Sequence, residues 1–161
     1  MVVNIMEKYE IAVTSFIDKM GYLSNNSVLG IVLYGSYTTG YNHNKSDIDM
    51  HIIMKNEVEE LIRGSIIEDG FKIEYFEKPI HDLYESADND FETQNNALLP
   101  IIGYGRIIFD RIGAISELQR YVLTKYSQPL PPLANDDAKE MAVIIENRIN
   151  KLQAMFDNDK S

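Results

Sequence analysis

The sequence predicts a mixed α+β domain, a β-sheet flanked by helices, with a helical extension at its C-terminal end. Three observations carry this reading. Short apolar, β-branched runs of strand length alternate with segments of helical periodicity over residues 1 to 112. Asp69-Gly70 lies between two apolar runs, the strongest short-range hairpin signal. From residue 113 to 161 the apolar residues recur at helical spacing.

Each element follows in order. Ile5, Met6, Tyr9, Val13, Phe16, Ile17 and Met20 fall three and four apart, one face of an amphipathic helix that Gly21 can stop. Asn25-Asn26-Ser27 makes a turn, and Val28 to Tyr34 reads as a buried strand. Gly35-Ser36 then begins a short helical turn and a polar loop to Ser46, before a second strand from Asp47 to Met54. Its side chains alternate: Ile48, Met50, Ile52 and Met54 on one face; Asp47, Asp49, His51 and Ile53 on the other. A short helix is expected from Asn56 to Arg63, ended by Gly64-Ser65. On the return strand of the hairpin, Phe71, Ile73 and Tyr75 share one face, and Lys72, Glu74 and Phe76 the other. Helices follow around Asp82 to Ser86 and near Asp90 to Leu99, then a strand from Arg106 to Asp110. Ile115, Leu118, Val122 and Tyr126 mark the next helix. Beyond the stiff Pro129 to Pro132 linker, Asn135 or Asp136 caps a last helix with an apolar stripe from Met141 to Phe156. That stripe must bury on this domain, on a second copy or on a further helical domain.

Composition narrows the function. Of 161 residues 45% are apolar, enough for a packed core, and the net charge is −10. So acidic a chain, without a Lys/Arg cluster, is poorly suited to gripping nucleic acid; it suits a divalent metal or a cationic small molecule. The absence of cysteine excludes disulfides, thiolate metal sites and cysteine nucleophiles. No stretch approaches the roughly 20 apolar residues of a membrane span, and Glu7, Lys8 and Glu10 break up any signal-like start. A cytoplasmic location is the expectation.

The chemistry concentrates between residues 35 and 49. Two carboxylates, Asp47 and Asp49, at the start of a core-forming strand are costly unless something cationic sits between them. Two apart on a strand, their Cα atoms lie about 6.6 Å apart and point the same way. That suits carboxylates sharing metal ions roughly 3.5 to 4 Å apart. Ser36 opens a helical turn whose free N–H groups favour a phosphate, and Gly35 lets the backbone approach it. Asp-x-Asp alone is common; with Gly-Ser ten residues upstream of it, a strand before and an apolar strand after, it becomes specific.

Over about residues 28 to 77 this order resembles the polymerase-β-type nucleotidyltransferase superfamily, in particular its minimal and antibiotic-modifying members. The resemblance implies a polymerase-β-like fold and a reaction that moves a nucleoside monophosphate, AMP from ATP by family analogy, onto an acceptor hydroxyl. It implies two Mg2+ ions held by Asp47, Asp49 and a third acid from a neighbouring strand, for which Glu74 is the candidate. Gly35 and Ser36 would hold the β- and γ-phosphates. Lys45, two residues before Asp47, is a further nucleotide-binding candidate, although an ordinary surface lysine is as good a reading. His51 shares the aspartate face, where a packing role is the commoner one. The implied acceptor is an aminoglycoside-like small molecule. The alternative is an antitoxin-type protein that binds or adenylylates a partner protein. A homodimer or a helical-domain partner is compatible with either.

Overall fold

The computed structural model describes residues 5–43, 45–56, 62–132 and 135–158. In chain order its elements are α1 (Ile5–Met20), β1 (Val28–Tyr34), α2 (Ser36–Thr39), β2 (Ile48–Met54), β3 (Ile62–Glu68) and β4 (Phe71–Pro79). These are followed by α3 (Ile80–Glu92), a π-helical turn (Leu99–Gly103), β5 (Arg106–Asp110), α4 (Ala114–Tyr126) and α5 (Asn135–Asn158). The five strands form one mixed sheet in the order β3-β4-β2-β1-β5. Only β2 and β4 run parallel; the other pairs are antiparallel.

Alternation along the strands builds a core on each side. Ile48, Met50, Ile52 and Met54 face α1, where Tyr9, Val13, Phe16 and Ile17 are buried with Ile31, Leu33 and Ile73. Burying each such side chain contributes on the order of 1.5 to 3 kcal/mol. On the opposite side Leu29, Val32 and Ile53 meet Leu83 and Ala87 of α3, Ile102 of the π-helical turn, and Ile115, Leu118 and Val122 of α4. β2 is thus covered on both faces, as its nearly unbroken apolar run requires. Asp47, just before the strand, and Asp49, its second residue, fall where that cover ends.

The Asp69-Gly70 hairpin forms as the sequence predicts, both residues having positive φ (49° and 84°), as a type I′ turn requires. Two expectations are corrected. Ile62 and Arg63, expected at the end of a helix, begin β3, and Gly64-Ser65 lies within that strand. Pairing with β4 overrides the local helical pattern there; the rest of that expected helix, residues 57–61, lies outside the described residues. The expected helix from Asp90 to Leu99 is absent. Instead α3 runs on to Glu92, and Gln94 and Asn96 turn the chain with φ of 55° and 54°. The buried Asp90 carboxylate closes this loop by accepting the Leu98 backbone N–H at 2.8 Å.

Candidate functional site

The site lies at the sheet end where β1 finishes and β2 and β4 begin. Register places Tyr34, Asp49 and Glu74 in one row across these three strands, so their side chains share a face. The next row inward on that face is Val32, His51, Phe76 and Arg63. His51 stacks on Phe76, with ring centroids 5.4 Å apart and planes within 11°, and the Arg63 guanidinium covers Phe76 from beyond. His51 is therefore a packed floor beneath Asp49. Burial, and to a lesser degree the charge of Lys78, lower its pKa to about 4. Its Nδ1 is buried without a hydrogen-bond partner.

Asp47 immediately precedes β2, not within it as its sequence predicts. With Asp49 on β2 and Lys72 and Glu74 on β4, it completes a patch of three acids and one base. Lys72 bridges two of the acids, its Nζ donating to Asp47 Oδ2 at 2.8 Å and to Glu74 Oε1 at 2.6 Å. These two bonds hold the ammonium well above its ordinary pKa. Arg63 approaches the other oxygen of Glu74 at 3.8 Å. Asp49 lacks such a bridge. Burial, then the charges of Glu74 and Asp47, raise its pKa, against a smaller opposing effect of Lys72. Tyr34, beside it, is pushed up to about 12 by burial and then by the charges of Asp49 and Glu74.

The Gly-Ser turn meets this patch directly. Gly35 adopts φ 78° and ψ −153°, a backbone open essentially to glycine alone. A Cβ at that position would stand 2.5 Å from Asp49 Oδ2. Ser36 starts α2, whose cap carries no side-chain hydrogen bond, while Thr38 turns its backbone N–H and its hydroxyl back onto the Gly35 carbonyl. Lys45 is exposed on the loop before Asp47, where its backbone N–H donates to His43 Nδ1 at 3.1 Å. Its side chain lines a cavity of about 510 Å3 beside Asp47, together with Lys8, Tyr37, Phe71 and Lys72. Gly35 and Ser36 are not among the residues lining that cavity.

The donor set can be tested against a metal. Three carboxylates at the corners of one patch supply only hard oxygen ligands, the chemistry Mg2+ prefers. Asp49, buried among like charges, is the group such a cation would relieve. As the side chains stand, however, no three acids or histidines among the described residues converge enough to share one ion. Lys72 holds two of the three. The donors fit the metal, and the ammonium stands in its way.

Sequence reasoning named Asp47, Asp49, Glu74, Gly35, Ser36 and Lys45. The first five surround one sheet end, and Lys45 stands at its rim. It missed the role of Lys72, although period-2 alternation already put that residue on the face of Glu74. Lys8 and Arg63 carried no local signal. One arrives by the docking of α1 and the other by a strand read as a helix.

Comparisons with known proteins bear on the family and the fold. No curated protein is significantly similar to the chain in sequence. Among solved structures, a nucleotidyltransferase-like protein from Exiguobacterium sibiricum superposes with a TM-score of 0.55 at 13% identity, over 71% of this chain. The chain spans 38% of that protein's length. A toxin–antitoxin structure with AMP-PNP matches more loosely, with a TM-score of 0.43 and 12% identity over 86% of this chain and 98% of the other. The model of the family described as polymerase beta, nucleotidyltransferase matches residues 20–111, which contain all of the site's strands and the Gly-Ser turn. By that match, and by the mixed sheet that brings Gly35 against Asp49, the chain belongs to the polymerase beta nucleotidyltransferase family.

Proposed function

We propose that the protein transfers AMP from ATP to a hydroxyl of an acceptor, with Asp47, Asp49 and Glu74 as Mg2+ ligands. The observation that carries this reading is the contact of Gly35 with Asp49. It brings a backbone able to lie close to a phosphate chain against a carboxylate whose pKa is raised by burial and neighbouring negative charge. When bound, two Mg2+ ions supply charge neutralisation on the phosphates and a more acidic acceptor hydroxyl.

The residues divide the work. Gly35 and the uncapped first turn of α2 hold the β- and γ-phosphates through backbone N–H groups. Lys45, beside the cavity next to Asp47, adds a positive charge for the phosphate chain. Asp47 and Asp49 would hold the metal, which would supply positive charge at the α-phosphate, and Glu74 orients the acceptor hydroxyl and takes its proton. The acceptor oxygen forms its bond to the α-phosphorus as the α–β phosphoanhydride bond breaks, and pyrophosphate leaves. The acidic balance of the chain, −10, favours a cationic acceptor of the aminoglycoside kind.

The test is incubation with Mg2+ and α-labelled ATP, then each other nucleotide, against a panel of aminoglycosides and against total cell protein, with Asp49→Ala as control. Label on a small molecule supports the reading as stated. Label on a protein band moves the acceptor to a partner protein. Absence of both transfer and Mg2+-dependent ATP binding refutes it.

A further inference from the structure

Lys72 stands where a cation is expected, and four observations define what it does there. It completes the patch formed with Asp47, Asp49 and Glu74, and it is the group that bonds two of these acids at once, at 2.8 and 2.6 Å. Its side chain is 42% exposed, so it reaches solvent and is not locked inside the core. It also lines the cavity shared with Lys8 and Lys45, which offers the ammonium a wet volume on its other side. Finally, Asp49 is left unbridged, so the compensation is partial: the patch keeps an uncompensated carboxylate that a further or a different cation would satisfy.

We propose that Lys72 is the resident counter-ion of this site, exchanged for a divalent cation when one binds Asp47, Asp49 and Glu74. This rests on the proposed role of those residues as metal ligands. Without the metal, the ammonium keeps Asp47 and Glu74 from repelling each other across adjacent strands and so preserves the shape of the site. A metal entering at Asp49 competes for the same oxygens, and the flexible four-carbon stem lets Lys72 withdraw to the cavity. There its charge faces the place where a phosphate chain beside Asp47 would lie. The exchange makes metal-free protein stable at the expense of affinity for free metal.

The experiment is calorimetric titration of the full chain with Mn2+ and Mg2+, without nucleotide, comparing wild type, Lys72→Met, Lys72→Arg and Asp49→Ala. Lys72→Met should bind metal about tenfold more tightly, because two partly exposed ion pairs no longer have to be broken. Lys72→Arg should stay near wild type. In metal-free buffer Lys72→Met should melt at a lower temperature than wild type, and metal should raise its melting temperature by more. Lys72→Gln, of similar length, replaces Lys72→Met if the latter does not fold. Equal or weaker affinity in Lys72→Met with normal binding by wild type overturns the exchange and leaves the metal ligands standing. No binding by wild type and Lys72→Met alike overturns both.

Discussion

At the scale of residues, the site is a place where folding concentrates like charges. Asp49 carries the heaviest burden, since burial and two neighbouring carboxylates raise its pKa. A carboxyl whose folded pKa is raised costs no stability below its unfolded value; the cost grows as the pH rises from the unfolded to the folded value and is fully present above it. Asp49→Asn should therefore raise the melting temperature of metal-free protein at pH 8, with the gain shrinking as the pH falls into the range where wild-type Asp49 protonates. An unchanged or lowered melting temperature at pH 8 would contradict this electrostatic account. His51 behaves oppositely. Its folded pKa of about 4 lies below the ordinary 6.5, so the unfolded chain takes up a proton that the folded chain refuses. Stability from this group is present above pH 6.5 and is lost as the pH falls toward 4, by at most ~3 kcal/mol. The carboxylates of Asp88 and Asp110, held below their ordinary range, lose stability in the same direction at lower pH. Denaturant melts from pH 7 to 4.5 should therefore show a shallower pH dependence in His51→Leu than in wild type, and equal slopes would exclude the histidine as a cause.

At the scale of elements, α4 shows how a segment with an ordinary amphipathic pattern becomes part of the site's foundation. Ile115, Leu118 and Val122 have no exposed surface and pack against Val32 and Ile53, on the same face of β1 and β2 that carries Asp49 and His51. Asp110, at the end of β5, caps the helix at a distance. Although burial pushes its pKa upward, hydrogen bonds from the Ser116 hydroxyl and from the Ser116 and Ile115 backbone N–H groups hold it low. The missing side-chain cap at Gly113 is thereby replaced. Leu118→Ala should cost about 2 to 5 kcal/mol, as a truncation in a filled core does. Chemical denaturation measures it; a loss below about 1 kcal/mol would mean that α4 is loosely docked.

At the scale of the molecule, α5 contrasts with everything before it. Val143, Ile144, Ile145 and Ile149 are exposed on it, at 55%, 38%, 51% and 54%. The apolar stripe from Met141 onward therefore finds little cover within the described part of this chain. Before it, the Gln94 side-chain amide donates to the linker at the Pro131 carbonyl, at 2.8 Å. Removal of residues 133–161 should accordingly leave the melting temperature within about 4 °C of the full chain, a change under ~1 kcal/mol. A larger drop would show that α5 supports the rest of the chain. Among the described residues no helix is long and apolar enough to cross a membrane, so the stripe is too short or too interrupted for that use.

Most of the site was legible because its signals are local. Gly35-Ser36, Asp47-x-Asp49 and the Asp69-Gly70 turn each act through their own backbone conformation or through alternation along one strand, which sequence spacing encodes directly. The candidate for a third acid came from the family resemblance, and alternation served only to separate Glu74 from Glu77; the latter is buried on the other face and accepts a hydrogen bond from the Tyr22 hydroxyl at 2.6 Å. Less legible were features that depend on which strand lies beside which. The sequence read Ile62 and Arg63 as helix because helical spacing is a weak preference, and pairing with β4 outweighs it. It recognised Asp47 and Asp49 as carboxylates in need of a cation. Only the parallel pairing of β2 with β4 decided that Lys72 reaches Asp47 and Glu74 while leaving Asp49 unbridged among the described residues, because a salt bridge 25 residues apart in sequence is set by register and by no local pattern.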